Sequence, residues 1–82
     1  MNRPEAETRL VAVMRDVFDE DDIQYDDRLA VGDVSGWDSL SHVRFLRAVE
    51  KQFGLYFTSR EVDALKSAGD VLNAIILRSL LV

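Results

Sequence analysis

The 82-residue chain contains no cysteine, which excludes disulfides and thiolate metal sites. It has a single histidine, His42, so a zinc centre built on several imidazoles is excluded too. Basic residues are in the minority: ten Lys and Arg against fifteen Asp and Glu give a net charge of −5. Nucleic acid is therefore an unsuitable partner, because phosphate contacts need clustered Lys and Arg. No run approaches the roughly 18 apolar residues of a membrane span. The start, Met1-Asn2-Arg3-Pro4-Glu5, carries no apolar signal region. A soluble, cytoplasmic protein without a resident metal is expected.

A hydrophobic fraction of 48% and a charged fraction of 30% suit one small core under a soluble surface. A length of 82 residues leaves no room for a second core, so residues 1–82 are read as a single domain. Leu10, Val13, Met14, Val17 and Phe18 recur at helical spacing and predict a first helix from about Pro4 to Phe18. Asn2 is its expected N-cap, with Pro4, Glu5 and Glu7 suiting the first turn.

Asp19-Glu20-Asp21-Asp22 ends that helix as a solvated acidic turn. It is not a calcium loop, since the glycine an EF-hand needs at its sixth position is missing in every register. From Ile23 to Trp37 no period is sustained. Ile23, Tyr25, Leu29, Val31 and Val34 are scattered among aspartates, with Gly32 and Gly36 as turn residues. This connection is longer than the roughly 12–15 residues usual for a structureless loop. It is expected either to form a helical turn near Asp27–Val31 or to lie over the core by its apolar residues.

Helical periodicity returns at Gly36-Trp37-Asp38-Ser39-Leu40. Asp38 is the expected N-cap of a second helix running to Phe53, with Gly54 just past its end. Leu40, Val43, Leu46, Val49 and Phe53, widened by Phe45, form its expected inward face. Ser41, His42, Arg44, Arg47, Glu50 and Lys51 form the outward one. Leu55-Tyr56-Phe57 reads as an extended connector. Thr58-Ser59-Arg60-Glu61 is a capping box opening a short third helix through Leu65. Ser67-Ala68-Gly69-Asp70 starts a last helix that buries Val71, Leu72, Ile75, Ile76 and Leu80. The fold class is all-α, a four-helix bundle with a long first loop.

Asp38-Ser39-Leu40, with Val43, Glu50 and Phe53-Gly54 in register behind it, resembles the attachment site of acyl and peptidyl carrier proteins. The resemblance covers nearly the whole chain, and Leu29 matches the family's usual anchoring leucine. It implies that Ser39 carries 4′-phosphopantetheine through a phosphodiester, with acyl or aminoacyl cargo held on the arm as a thioester. It also implies that Asp38 helps to position metal-bound coenzyme A during transfer. A helix N-terminus is a favourable place for a phosphate. The implied partners are a phosphopantetheinyl transferase, a loading ligase or acyltransferase, and a downstream synthase or transferase. Trp37, Leu40, Val43, Arg44 and Arg47 are expected to form the docking surface, Trp37 serving alternatively as a hydrophobic staple onto the helix. His42 is expected at the surface beside the arm.

One departure stands out. The family often presents acids on the second helix, whereas here Arg44, Arg47 and Lys51 occupy much of the outward face and leave Glu50 as its acid. Partners that read an acidic helix are expected to bind poorly, which points to a specialised biosynthetic pathway. A Ser39–His42 hydrolase is set aside for want of a nucleophile elbow, an orienting acid and an enclosed pocket. The chain is expected to be a stand-alone monomeric carrier and not an enzyme. The alternative is a helical interaction module without a prosthetic group, binding a partner helix near Trp37 and Leu40.

Overall fold

The described residues form four α-helices: α1 (Arg3–Phe18), α2 (Ser39–Phe53), α3 (Ser59–Ala64) and α4 (Ala68–Leu80). The computed structural model describes residues 2–80, without the Leu80 side chain. Leu80 as a buried residue and the apolar end Leu81-Val82 thus lie outside what is described.

Each helix begins where a short polar side chain satisfies backbone N–H groups left without intrahelical partners. The Asn2 side chain accepts from Glu5 N at 2.8 Å. Asp38 Oδ1 accepts from Ser41 N at 2.8 Å. Thr58 and Glu61 form a complete capping box. At α4, Ser67 Oγ accepts from Asp70 N, while Asp70 Oδ2 accepts from Lys66 N and Ser67 N. α2 ends on Gly54 in the left-handed region, φ 68°, as the sequence predicts.

These caps perturb the carboxyl groups that make them. The Ser41 backbone N–H and then its hydroxyl hold the Asp38 carboxyl below the usual aspartate range. Glu61 is lowered by the Thr58 backbone N–H and then by Arg78.

One apolar cluster holds the bundle. α1 contributes Ala6, Leu10, Val13, Met14 and Phe18; α2 contributes Phe45, Leu46 and Val49; α4 contributes Ala68, Val71, Leu72 and Ile75. Burial of each large member contributes about 1.5–3 kcal/mol. α3 buries none of its own residues. Polar ties secure it: Arg78 pairs with Glu61 and donates to Tyr56 O at 2.7 Å.

The α2 stripe differs from the one periodicity predicts. Leu40 is 77% exposed and Val43 49% exposed, whereas Phe45 is fully buried. The indole of Trp37 fills the core space at the start of α2, stacking on Phe18 at 5.0 Å and meeting Phe45 edge-on at 5.5 Å. With α2 rotated so that Phe45, Leu46 and Val49 face inward, Leu40 lies almost opposite them on the helix. Glu50 is also not outward. It is 7% exposed, and its Oε2 accepts from Phe57 N at 2.8 Å.

The long first loop forms successive turns instead of a helix and is tied down along its length. Arg15 donates twice to Ile23 O, at 3.0 and 2.7 Å. Ile23 is buried, and Tyr25, Leu29 and Val34 pack against the core. Leu29 O and Asp27 O accept from Ala68 N and Gly69 N at 2.7 and 3.0 Å. Asp27 also receives hydrogen bonds from Arg3, at 2.8 Å, and from the Tyr25 hydroxyl. The start of α1, the loop and the start of α4 thus meet at one aspartate.

That junction leaves no room for a side chain at residue 69, where a Cβ would lie 2.9 Å from Asp27 O. Gly69→Ala is expected to lower stability by about 1–3 kcal/mol, read as a lower urea midpoint; an unchanged midpoint would show that the junction yields. The Asp38 cap has a pH signature. Its depressed folded-state pKa makes its contribution fully present above the ordinary aspartate value and lost as pH falls through the lower folded-state value. Asp38→Asn retains a capping oxygen without the charge. The stability difference between wild type and this variant is expected to change in favour of the variant as pH drops below the ordinary aspartate range. Parallel curves would show that the cap does not titrate.

Candidate functional site

The chain turns from loop to helix between Val34 and His42. Trp37 N donates to Val34 O at 3.0 Å and Gly32 N to Trp37 O at 2.9 Å, which sets the approach. Gly36 adopts φ 86°, and a Cβ there would sit 3.2 Å from Phe18 O, so both conformation and space call for glycine. His42 N donates to Asp38 O at 2.9 Å to close the first turn.

Ser39 is the first residue of α2 and is exposed. Its hydroxyl has no hydrogen-bond partner among the described residues, unlike Ser41, whose Oγ donates to Asp38 Oδ1 at 3.0 Å. Asp38 is thus held ionised by its cap and stands, exposed, beside a free hydroxyl. A phosphodiester on Ser39 Oγ fits this geometry: nothing covers the oxygen, and the first-turn amides and the positive end of a 15-residue helix lie beneath it.

The expected docking residues divide. Leu40, Val43, Arg44 and Arg47 are all exposed along α2. Trp37 is not available to a partner: at 1% exposed it is a core residue, and the staple alternative describes it. Because Glu50 is buried, the exposed charged side chains of α2 are all basic: Arg44, Arg47 and Lys51. Arg47 leans toward Glu50 at 3.4 Å but remains 76% exposed.

His42 is likewise not a free surface residue. Its Nδ1 accepts from Trp37 Nε1 at 3.0 Å, and its Nε2 lies 2.7 Å from Leu65 O. Both ring nitrogens are engaged, so no base is free to activate Ser39. Four of the surface clefts among the described residues have neither Ser39 nor His42 in their lining. The residues a hydrolase would need are close in sequence and chemically disconnected in space. Reading His42 as exposed missed the helical phase: with Phe45 and Val49 inward, residue 42 falls on the same face.

No helix of the described residues is long and apolar enough to cross a membrane. No curated protein and no solved structure matches the chain. The family model described as the phosphopantetheine attachment site matches residues 8–75, most of the chain from within α1 to within α4. The family is defined by 4′-phosphopantetheine held covalently on a serine, and its domains are carriers without catalysis of their own. With four helices among its described residues and an exposed serine at a capped helix start, the chain belongs to the phosphopantetheine-attachment family of carrier proteins.

Proposed function

We propose that Ser39 is the attachment serine and that the protein is a single-domain, monomeric, cytoplasmic carrier for acyl or aminoacyl groups in a specialised biosynthetic pathway. The observation that carries this reading is the free, exposed Ser39 hydroxyl at the N-terminus of α2, within the Asp38-Ser39-Leu40 motif of a carrier-family chain. When bound, the arm supplies a thiol that holds cargo as a thioester. In its attachment, Ser39 Oγ would lose its proton to a base of the transferase and form a phosphodiester with the phosphopantetheine phosphate, while the pyrophosphate bond of coenzyme A breaks and adenosine 3′,5′-bisphosphate leaves. Asp38 keeps the helix start ordered, and its carboxylate would help to position metal-bound coenzyme A during the transfer. The reading of a module without a prosthetic group is set aside by the family assignment.

The partners of the reading are a phosphopantetheinyl transferase, a loading ligase or acyltransferase, and a downstream synthase or transferase. They would dock on Leu40 and Val43, which expose apolar surface beside the serine, within the basic frame of Arg44, Arg47 and Lys51. Charge complementarity selects enzymes with acidic residues around an apolar recess. Cationic docking sites shaped for an acidic helix are disfavoured by like-charge contacts.

The attachment is tested by intact mass after incubation with coenzyme A, magnesium and a broad-specificity transferase. Wild type is expected to gain one phosphopantetheine and Ser39→Ala none; a folded wild type that gains nothing overturns the reading. For docking, a fatty-acid-synthesis acyltransferase with a basic docking site is expected to accept the loaded protein poorly. Arg44→Glu combined with Arg47→Glu should lower its KM by about tenfold, equivalent to about 1.4 kcal/mol. No change would remove the helix charge from partner selection.

A further inference from the structure

His42 occupies a position that neither helix capping nor carrier chemistry requires. The two groups it meets fix its state. The indole N–H of Trp37 can only donate, so the Nδ1 it faces must be the unprotonated nitrogen. The carbonyl of Leu65 can only accept, so Nε2 must carry the hydrogen. The ring also stacks on Trp37 with centroids 5.9 Å apart and an interplanar angle of 22°.

Two bonds from His42 enclose the serine. Its side chain holds Trp37, two residues before Ser39, and its backbone N–H holds Asp38, one residue before. The segment from Trp37 to His42 is therefore closed on itself, with Ser39 inside the closure. Its outer tie runs to Leu65, which caps the C-terminus of α3 and whose side chain is buried. α3 has no buried residue of its own beyond the partly buried Val62 packed on the core, and this carbonyl contact ties its end to α2.

We propose that His42 is a positioning residue for the modification of Ser39: clamped between Trp37 and the Leu65 carbonyl, it locks the loop-to-helix junction from which the serine hydroxyl is presented. The proposal rests on Ser39 being the attachment site. Its consequence is kinetic. Transferase affinity depends on the exposed residues Leu40, Val43 and Arg44, which the clamp does not touch. The rate of the chemical step depends on the placement of the hydroxyl, to which such steps are steeply sensitive.

The test is a double-mutant cycle of His42→Phe and Trp37→Phe. The first keeps an aromatic ring and loses both hydrogen bonds; the second removes the indole donor. Modification is followed by intact mass with coenzyme A, magnesium and a broad-specificity transferase over a range of carrier concentrations, with circular dichroism confirming the fold. Each single variant is expected to lose about tenfold in kcat with KM within about twofold, and the double variant to lose no more than either single. Unchanged kcat in the folded variants, or losses that multiply, would overturn the proposal. If His42→Phe does not fold, Trp37→Phe carries the kinetic test alone, supported by nitrogen NMR of wild-type His42. That spectrum is expected to show a protonated Nε2 and a bare Nδ1; a protonated Nδ1 overturns the clamp. Failure of wild type itself to gain phosphopantetheine removes the attachment reading and the proposal together, whereas normal loading of every variant removes the proposal alone.

Discussion

The stacking of Trp37 on Phe18 is the contact on which the remaining architecture depends. It joins the last residue of α1 to the residue just before the cap of α2, across an irregular connection. Phe45 closes the cluster from α2 at 5.4 Å from Phe18 and 5.5 Å from Trp37. Without that cluster the loop would be held by the buried Ile23, its half-buried side chains and its hydrogen bonds to α1 and α4, against a backbone ordering cost of roughly 1–2 kcal/mol per residue. With it, the start of α2 is fixed on both sides: inward by the indole, outward by the Asp38 cap. Ser39 is thereby exposed on a rigid junction.

Burying the indole also decides what α2 shows to solvent. Two large apolar groups cannot occupy the same space at the head of the helix, and the tryptophan displaces Leu40. An exposed leucine is ordinary on any protein surface. An exposed leucine and valine along one helix, close to the serine and flanked by Arg44 and Arg47, make a coherent face. The burial of Glu50 sharpens that face. Its carboxylate serves the backbone of Phe57 and so leaves the outward charge of α2 uniformly positive in a chain whose net charge is −5.

Most of the fold was legible in the sequence because its helix boundaries are written in local chemistry. Asn2, Asp38, Gly54 and the Thr58–Glu61 box act within three residues of the helix ends they define, so a linear reading finds them. The phase of α2 was not legible. Leu40 and Val43 satisfy the same helical spacing as Leu46 and Val49, and only a tryptophan arriving from a non-periodic loop settles which set is buried. His42 and Glu50 were misplaced for the same reason: a polar residue on an inward phase looks like a surface residue until its partners, a carbonyl on α3's end and an amide beyond α2's end, are known. Gly69 gave no signal at all, since its need for space comes from Asp27, far away in the chain.

These misplacements share a cause. The side chains that tie α2 to the rest of the protein by hydrogen bonds are polar, and they sit on the core side of the helix. An apolar side chain at position 42 would bury equally well, but it would leave the indole N–H and the Leu65 carbonyl facing apolar surface, at about 1–3 kcal/mol for each group left unsatisfied. Packing can slide by small displacements at little cost, whereas a ring bonded through both nitrogens fixes distance and direction at once. For a domain whose proposed task is to hold one serine in the same place for several different enzymes, directional contacts behind that serine serve better than additional apolar bulk. The apolar surface is then free to lie outward, where partners can meet it.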